Sequence, residues 1–191
     1  MKQIAIFTSG KSRGSNFLAI HDYIKTNEFP IYIKYLFVTD DSAPVVSLAM
    51  ERGINIIHYD HNVRINDFLM MICRSYPVDL IVLAGFMRKF SHDFFQTIKK
   101  PMINIHPALL PKYGGKGMFG MNVHRAVFEA KEKVSGVTVH HVSENYDEGS
   151  IIAQKECDIS MCKTPEEVAQ YVLKVEHEIY PKEIIKLISS L

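Results

Sequence analysis

No apolar stretch in this chain approaches the roughly 20 residues that cross a bilayer. The opening run Ile4-Ala5-Ile6-Phe7 is also too short for the apolar region of a secretion signal, and no small-residue cleavage site follows it. Charge of one sign is lacking too: the formal net charge is +1, which argues against a broad electrostatic footprint for nucleic acid. Cysteine is scarce and odd in number (Cys73, Cys157, Cys162) and shows no metal-ligand spacing. Reduced thiols in the cytosol account for all three most simply. Nine histidines, among them His58, His61, His106 and His124, match no zinc template, so no metal is expected. Internal repeats, low-complexity tracts and interdomain linkers are missing as well. What remains is a cytoplasmic chain of 191 residues, 47% apolar and 23% charged, long enough to bury one sizeable core.

What is present alternates. Short β-branched runs trade places with longer helical patterns, the signature of βαβ units and a mostly parallel sheet. Strands are expected at Ile4–Thr8, Ile31–Val38, Asn55–His58, Leu80–Ala84 and Met102–Ile105. Between them, helices are expected at Asn16–Thr26, Pro44–Arg52, Ile65–Arg74 and His92–Thr97. After a helix at Val123–Lys131 the character changes. Gly136–Val142 and Ile151–Asp158 read as two strands joined by the polar Ser143–Ser150, hence an antiparallel pair at the sheet edge. Thr164-Pro165-Glu166-Glu167 opens a last helix with a capping threonine, proline in the first turn and two acids at the positive end. That helix runs toward Leu191 and is expected to bend near Pro181. The pattern predicts one doubly wound, Rossmann-like α/β domain with helices on both faces and an antiparallel edge near the C-terminus.

Ile103-Asn104-Ile105-His106-Pro107 carries the most chemistry. Side chains two apart on a strand share a face, so Asn104 and His106 leave the sheet together. Pro107 and Pro111 forbid the strand from continuing, which puts the pair at a carboxyl edge, where open α/β sheets place ligands. An amide beside an imidazole suits a reaction that builds negative charge on a carbonyl oxygen. Taken alone, an Asn-x-His pair is more often a turn or cap than a site. Its company is informative. Asp147 lies in the turn-rich Asn145–Gly149; folded against His106 it would favour the imidazolium. His140 and His141 face opposite sides of their strand, so one enters the site; His140 shares parity with Thr138 and is the choice.

Two further segments flank this pair. Ser9-Gly10-Lys11-Ser12-Arg13-Gly14-Ser15-Asn16 joins the first strand to the first helix, where backbone N–H groups and the helix terminus attract anions. It is neither a P-loop nor a dinucleotide fingerprint, because the glycine spacing fits neither. The plain alternative is a helix cap by Ser15 or Asn16. Leu83-Ala84-Gly85-Phe86-Met87-Arg88 ends the central strand; its glycine admits a close neighbour, its apolar residues can wall a flat ring and Arg88 can meet a carboxylate.

Together these segments resemble the phosphoribosylglycinamide formyltransferases, folate-dependent enzymes of purine biosynthesis. The resemblance covers essentially the whole chain and includes Leu109-Leu110-Pro111 and Glu176-His177-Glu178-Ile179-Tyr180-Pro181. It implies one formyltransferase domain over 1–191, with a phosphate-binding half of about 1–100 and a catalytic, folate-binding half of about 101–191. It also implies formyl transfer from 10-formyltetrahydrofolate, as co-substrate, to the amine of 5-phosphoribosylglycinamide, with no metal. By that resemblance Asn104, His106 and Asp147 are catalytic, Gly14, Ser15 and Asn16 hold the acceptor phosphate, and Glu176 meets the acceptor. Arg64, Met87, Arg88, Lys89, Phe90, Asn104 and His140 would surround the folate, Arg64 by the poorest match. The partners implied are these small molecules, with neither nucleic acid nor membrane, and a homodimer is left open.

The chain departs from the pattern by an insertion at Lys11-Ser12-Arg13 and by the glycine-rich Gly114–Gly120, a candidate flap. A sugar-nucleotide N-formyltransferase and a formyltetrahydrofolate deformylase would use the same trio. A methionyl-tRNA formyltransferase would be expected to add a C-terminal module. A non-catalytic folate or nucleotide-binding module is the reading from a different class.

Overall fold

A computed structural model describes residues 1–191. Five strands, β1 (Lys2–Phe7), β2 (Ile31–Val38), β3 (Ile56–His58), β4 (Leu80–Leu83) and β5 (Met102–His106), alternate with helices α1 (Ser15–Thr26), α2 (Pro44–Glu51), α3 (Ile65–Ser75) and α4 (His92–Thr97). Helix α5 (Met121–Glu129), strands β6 (Val134–His141) and β7 (Ile151–Asp158), and helix α6 (Pro165–Ser190) complete the chain. One seven-stranded sheet runs in the order β3-β2-β1-β4-β5-β6-β7, parallel through β5 and antiparallel from β5 to β7. Strand order reverses between β1 and β4, and the crevice of such a sheet opens at that switch, outside the carboxyl ends.

Alternation along the strands divides the core in two. In β1, Ile4 and Ile6 join the larger apolar cluster beneath α1, α2, α5 and α6, whereas Ala5 and Phe7 join the aromatic cluster beneath α3 and α4. β2 switches parity midway: Ile31 and Ile33 share the first cluster with Leu36 and Val38. The cause is an irregularity where Ile4 pairs with Ile33 but Ala5 pairs with Tyr35, so Lys34 is skipped and later side chains change sides. In β5, Ile103 and Ile105 enter the first cluster and Met102 the second, which turns Asn104 and His106 away from the first.

Most other differences from the sequence expectations lie at the ends of elements. β6 starts at Val134, two residues early, because its ladder with β7 extends to Val134 opposite Asp158. α5 starts at Met121 rather than Val123. α1 is entered through Gly14 in a left-handed conformation (φ 80°), with no side-chain cap, so the capping alternative for Ser15 or Asn16 does not hold. α6 continues through Pro181 as one 26-residue helix, capped by Thr164 accepting from the Glu167 N–H at 3.2 Å. The Tyr180 hydroxyl, wholly buried, donates to the Leu83 carbonyl at 2.7 Å and ties α6 to the central strand. No helix is long and apolar enough to cross a membrane.

Candidate active site

The carboxyl ends of β1, β4 and β5 open into a cleft of about 730 Å³. Asn104, His106, Asp147, Asn16, Glu176, Met87 and the Gly115–Gly120 segment all line it. Ser9 braces its floor: the hydroxyl donates to the Gly85 carbonyl at 3.2 Å and accepts the Met87 N–H at 2.8 Å, joining the first turn to the end of β4.

His106 is 3% exposed, and each ring nitrogen faces an acceptor. Nε2 lies 2.8 Å from the Tyr113 carbonyl, which can only accept, so Nε2 carries a proton. Nδ1 lies 3.5 Å from Asp147 Oδ2. A neutral ring would then point a lone pair at a carboxylate, whereas an imidazolium satisfies both partners. Burial works the other way and is the largest influence: it pulls the His106 pKa below its ordinary 6.5, while Asp147 and the Tyr113 carbonyl pull it up. Asp147 does fold against His106 and favours the imidazolium, with burial as the larger, opposing influence.

Asn104 stands opposite His140 in the β5–β6 ladder. His140 Nδ1 lies 2.9 Å from the His141 carbonyl and so bears the proton, leaving Nε2 to accept from Asn104 Nδ2 at 3.2 Å. Burial holds His140 below its ordinary pKa, which keeps it a neutral acceptor. One Asn104 N–H is thereby fixed and the other is free to point into the cleft. His140 lines a narrower slot beside the cleft, and His141, on the opposite parity, lines neither.

Asp147 sits in a left-handed conformation (φ 59°), uncommon for a residue with a side chain and typical of functional turns. Its Oδ2 accepts the Gly115 N–H at 2.9 Å, and its Oδ1 lies 3.6 Å from His140 Nε2. The carboxylate therefore lies against His106 and holds the root of the glycine-rich segment, with the unprotonated Nε2 of His140 near it but not bonded to it.

Gly14, Ser15 and Asn16 line a pocket of about 150 Å³ at the start of α1, beside Ser12 and Arg13. Asn16 Nδ2 donates to Glu176 Oε2 at 2.7 Å, across from α6. Glu176 is 9% exposed, and burial raises its pKa from 4.5 to about 7 despite that bond. It lies one helical turn before Tyr180, whose anchor to β4 fixes its height over the cleft.

The expected folate residues separate. Arg88, Lys89 and Phe90 line a narrow slot next to the cleft, together with Leu83, Phe86, Asn104, His140 and Val142. Phe90 is 4% exposed, and its ring lies 5.2 Å from Phe86 and 4.7 Å from Phe94, so it forms the wall from within the aromatic core. Met87, half-exposed, belongs to the main cleft instead. Arg64 reaches neither cavity. Its side chain is 89% exposed at the start of α3 and bonds Asp67 at 2.8 Å. No three His, Cys, Asp or Glu side chains gather as a metal site would need.

Sequence reasoning did not single out four participants. Tyr113 contributes a backbone carbonyl, which no side-chain pattern can announce. His124 lines the cleft from α5 with its Nδ1 buried and unpartnered, its pKa pushed down to about 4 by burial and by His106. Thr138 and Gln154 fasten the loop after His106: Thr138 Oγ1 donates to the Ala108 carbonyl at 2.7 Å and accepts from Leu110 N–H and Gln154 Nε2. The shared parity of Thr138 and His140 was the one available signal.

Comparison with known proteins places the chain in a family. A family model described as formyl transferase matches residues 2–184. A phosphoribosylglycinamide formyltransferase of Bacillus subtilis is 35% identical, over 98% of this chain and 95% of its own. Chloroplastic phosphoribosylglycinamide formyltransferases of Arabidopsis thaliana and Vigna unguiculata are 36% and 34% identical over 94% of this chain, which spans only 63% and 58% of their lengths. A glycinamide ribonucleotide transformylase 1 structure from Symbiobacterium toebii superposes with a TM-score of 0.88 at 29% identity, covering 100% of this chain and 89% of that one. A phosphoribosylglycinamide formyltransferase structure from Bacillus halodurans gives 0.86 at 30% identity, over 98% of this chain and 96% of that one.

Proposed function

The chain belongs to the formyl transferase family, and from that premise we propose that it transfers a formyl group from 10-formyltetrahydrofolate to the amine of 5-phosphoribosylglycinamide. One observation carries the reading: a free amide N–H of Asn104 and the His106 ring face one cleft, with Asp147 closing behind both. Such a group of donors stabilises charge on one carbonyl oxygen. Residues 1–191 act as a single formyltransferase domain in this reading.

Beside the cleft, Leu83, Phe86, Phe90 and Val142 give one apolar wall to a small slot whose other lining is polar, including Arg88, Asn104, His140 and Asp147; in this reading that wall meets the pterin ring and the polar residues meet its edge. When bound, the folate supplies the formyl carbon. The acceptor amine forms a bond to that carbon, and the bond from carbon to N10 breaks. Asn104 Nδ2–H and the His106 imidazolium stabilise the negative charge that develops on the formyl oxygen. One proton leaves the amine and one reaches N10. His106 gives its Nδ1 proton, the one not held by the Tyr113 carbonyl, on the N10 side, and Asp147 receives the amine's proton through water and returns a proton to Nδ1. Glu176, with Asn16, orients the acceptor, and the turn at Gly14–Asn16 takes its phosphate.

Three unpaired thiols fit a reducing compartment, so the reading keeps the protein in the cytoplasm. The test is purified protein with 10-formyltetrahydrofolate, with and without glycinamide ribonucleotide, followed by folate absorbance. Turnover that requires the ribonucleotide is expected. Turnover without it would mean hydrolysis of the donor, and none in either case would mean binding without catalysis.

A further inference from the structure

Neither Tyr113 nor Glu132 lines the cleft, yet the buried His106 ring donates from Nε2 to the Tyr113 carbonyl at 2.8 Å. Tyr113 sits in a left-handed conformation (φ 56°), which a residue with a side chain keeps only where its surroundings impose it. Two sets of neighbours do so. On the outer side, the Tyr113 hydroxyl donates to Glu132 Oε1 at 2.9 Å, a bond strengthened by the charge of its acceptor. On the inner side, Gly114 passes so close to Leu110 and Asp147 that a Cβ there would press on both, and the Gly115 N–H bonds Asp147 Oδ2 at 2.9 Å. Residues 113–115 thus form a strap behind His106 and Asp147, fastened on its far side by one phenol.

Glu132 is placed by the way α5 ends. Lys131 is left-handed as well (φ 56°); its N–H bonds the Phe128 carbonyl at 2.9 Å, and the Glu132 N–H bonds the Val127 carbonyl at 3.3 Å. That pair of bonds is a Schellman termination, which sets the direction in which the chain leaves the helix. The same carboxylate takes Lys112 Nζ at 3.1 Å, but the lysine is largely exposed, so this pair adds little.

We infer that Glu132 is a positioning residue for the formyl transfer: through the Tyr113 phenol it holds the Tyr113 carbonyl against His106 Nε2. The neutral ring then keeps its one proton on Nε2 and leaves Nδ1 open to be recharged from Asp147. With the strap slack, the single proton would settle on Nδ1, facing the carboxylate, and the recharging step would have no vacant nitrogen to use. Of the hydrogen-bond partners of His106, only the Tyr113 carbonyl meets Nε2. The charged and titratable groups around the ring are Asp147 from the β6–β7 turn, His140 from β6 and His124 from α5, with Glu176, Lys11 and Lys116 elsewhere on the cleft wall. This role rests on the activity proposed above.

Steady-state kinetics and histidine 15N NMR of the free protein test it in Tyr113→Phe, Glu132→Ala, Glu132→Gln, Lys112→Ala and the Tyr113→Phe/Glu132→Ala double variant. Misplacing a reacting group by about 1 Å costs about 10²-fold. Tyr113→Phe and Glu132→Ala should each lower kcat by about 10–100-fold, with KM for donor and acceptor unchanged. The double variant should fall no further, since all three lack the same bond. Glu132→Gln still offers the phenol an oxygen and should recover most of the loss, and Lys112→Ala should match wild type. In the impaired variants the high-pH limb of kcat/KM should move to lower pH, because the Tyr113 carbonyl raises the His106 pKa. NMR should show the neutral ring shifting from Nε2–H toward Nδ1–H. Additive losses, a raised KM in place of a lowered kcat, or an unmoved limb and tautomer would overturn the inference. So would a loss that only tracks stability in urea. If the wild type does not turn over, the proposed activity fails, and the His106 tautomer in the variants still decides whether Glu132 holds the ring.

Discussion

His106 has an acceptor at each ring nitrogen and almost no water, two conditions that pull its proton affinity in opposite directions. Removing the negative one should be visible. In Asp147→Asn the high-pH limb of the kcat/KM profile is expected to move to lower pH, because the charge that raises the His106 pKa is gone. An unmoved limb in that variant would detach the imidazole from the reaction. Asn104→Ala removes one donor to the developing oxyanion, so kcat should fall by about 10²–10³ with substrate KM little changed. Glu176, with a pKa of about 7, sets a second limb. If its carboxylate orients the acceptor, Glu176 governs the acid side of the profile, and Glu176→Gln should flatten the rise there while leaving the high-pH limb in place.

Two contacts at the scale of elements hold the site together. Gly149 lies so close to the His141 carbonyl that a Cβ there would overlap it, and this pins the Ser143–Ser150 turn onto β6, with Asp147 at its tip. Gly149→Ala should cost stability by about 1–3 kcal/mol, since overpacking forces the backbone to shift, and should depress turnover beyond that through Asp147. Urea unfolding read beside kcat separates the two effects. Thr138→Val strands the Leu110 N–H and the Ala108 carbonyl, both buried, for another 1–3 kcal/mol or so. Strand and helix positions were legible because their periods are strong: Phe17, Ile20 and Ile24 on α1, and the all-apolar Leu80–Leu83, fall where the pattern puts them. The β2 parity switch was not, because a skipped residue depends on the register with β1 rather than on β2 itself.

Across the whole molecule, buried ionisable groups trade against one another with pH. His124, neutral and buried with a pKa near 4, contributes stability that is complete above 6.5 and lost as pH falls from 6.5 toward 4. Glu176 runs in the opposite sense. Its folded pKa of about 7 lies above the unfolded 4.5, so its contribution is complete below 4.5 and lost as pH rises to 7. The difference is worth about 3 kcal/mol at most. Glu176→Gln should therefore be more stable than wild type at pH 8 by a margin that vanishes near pH 4.5, as thermal or urea unfolding at the two pH values would register. The reverse ordering would mean that Glu176 stays charged in the folded state.

The amino-acid order by itself determined the alternation of strands and helices, the break at Pro107, and the shared face of Asn104 and His106, because these follow from local periods and from what proline forbids. Only the tertiary structure decided that Asp147 lies near two histidines, that the Tyr113 carbonyl fixes which nitrogen of His106 is protonated, that Arg64 stays in solvent, and that Lys11 and Lys116 share a cleft. Those facts join residues tens of positions apart, or involve backbone groups common to every residue, and burial, which sets their proton affinities, exists only once the sheet has closed its two faces.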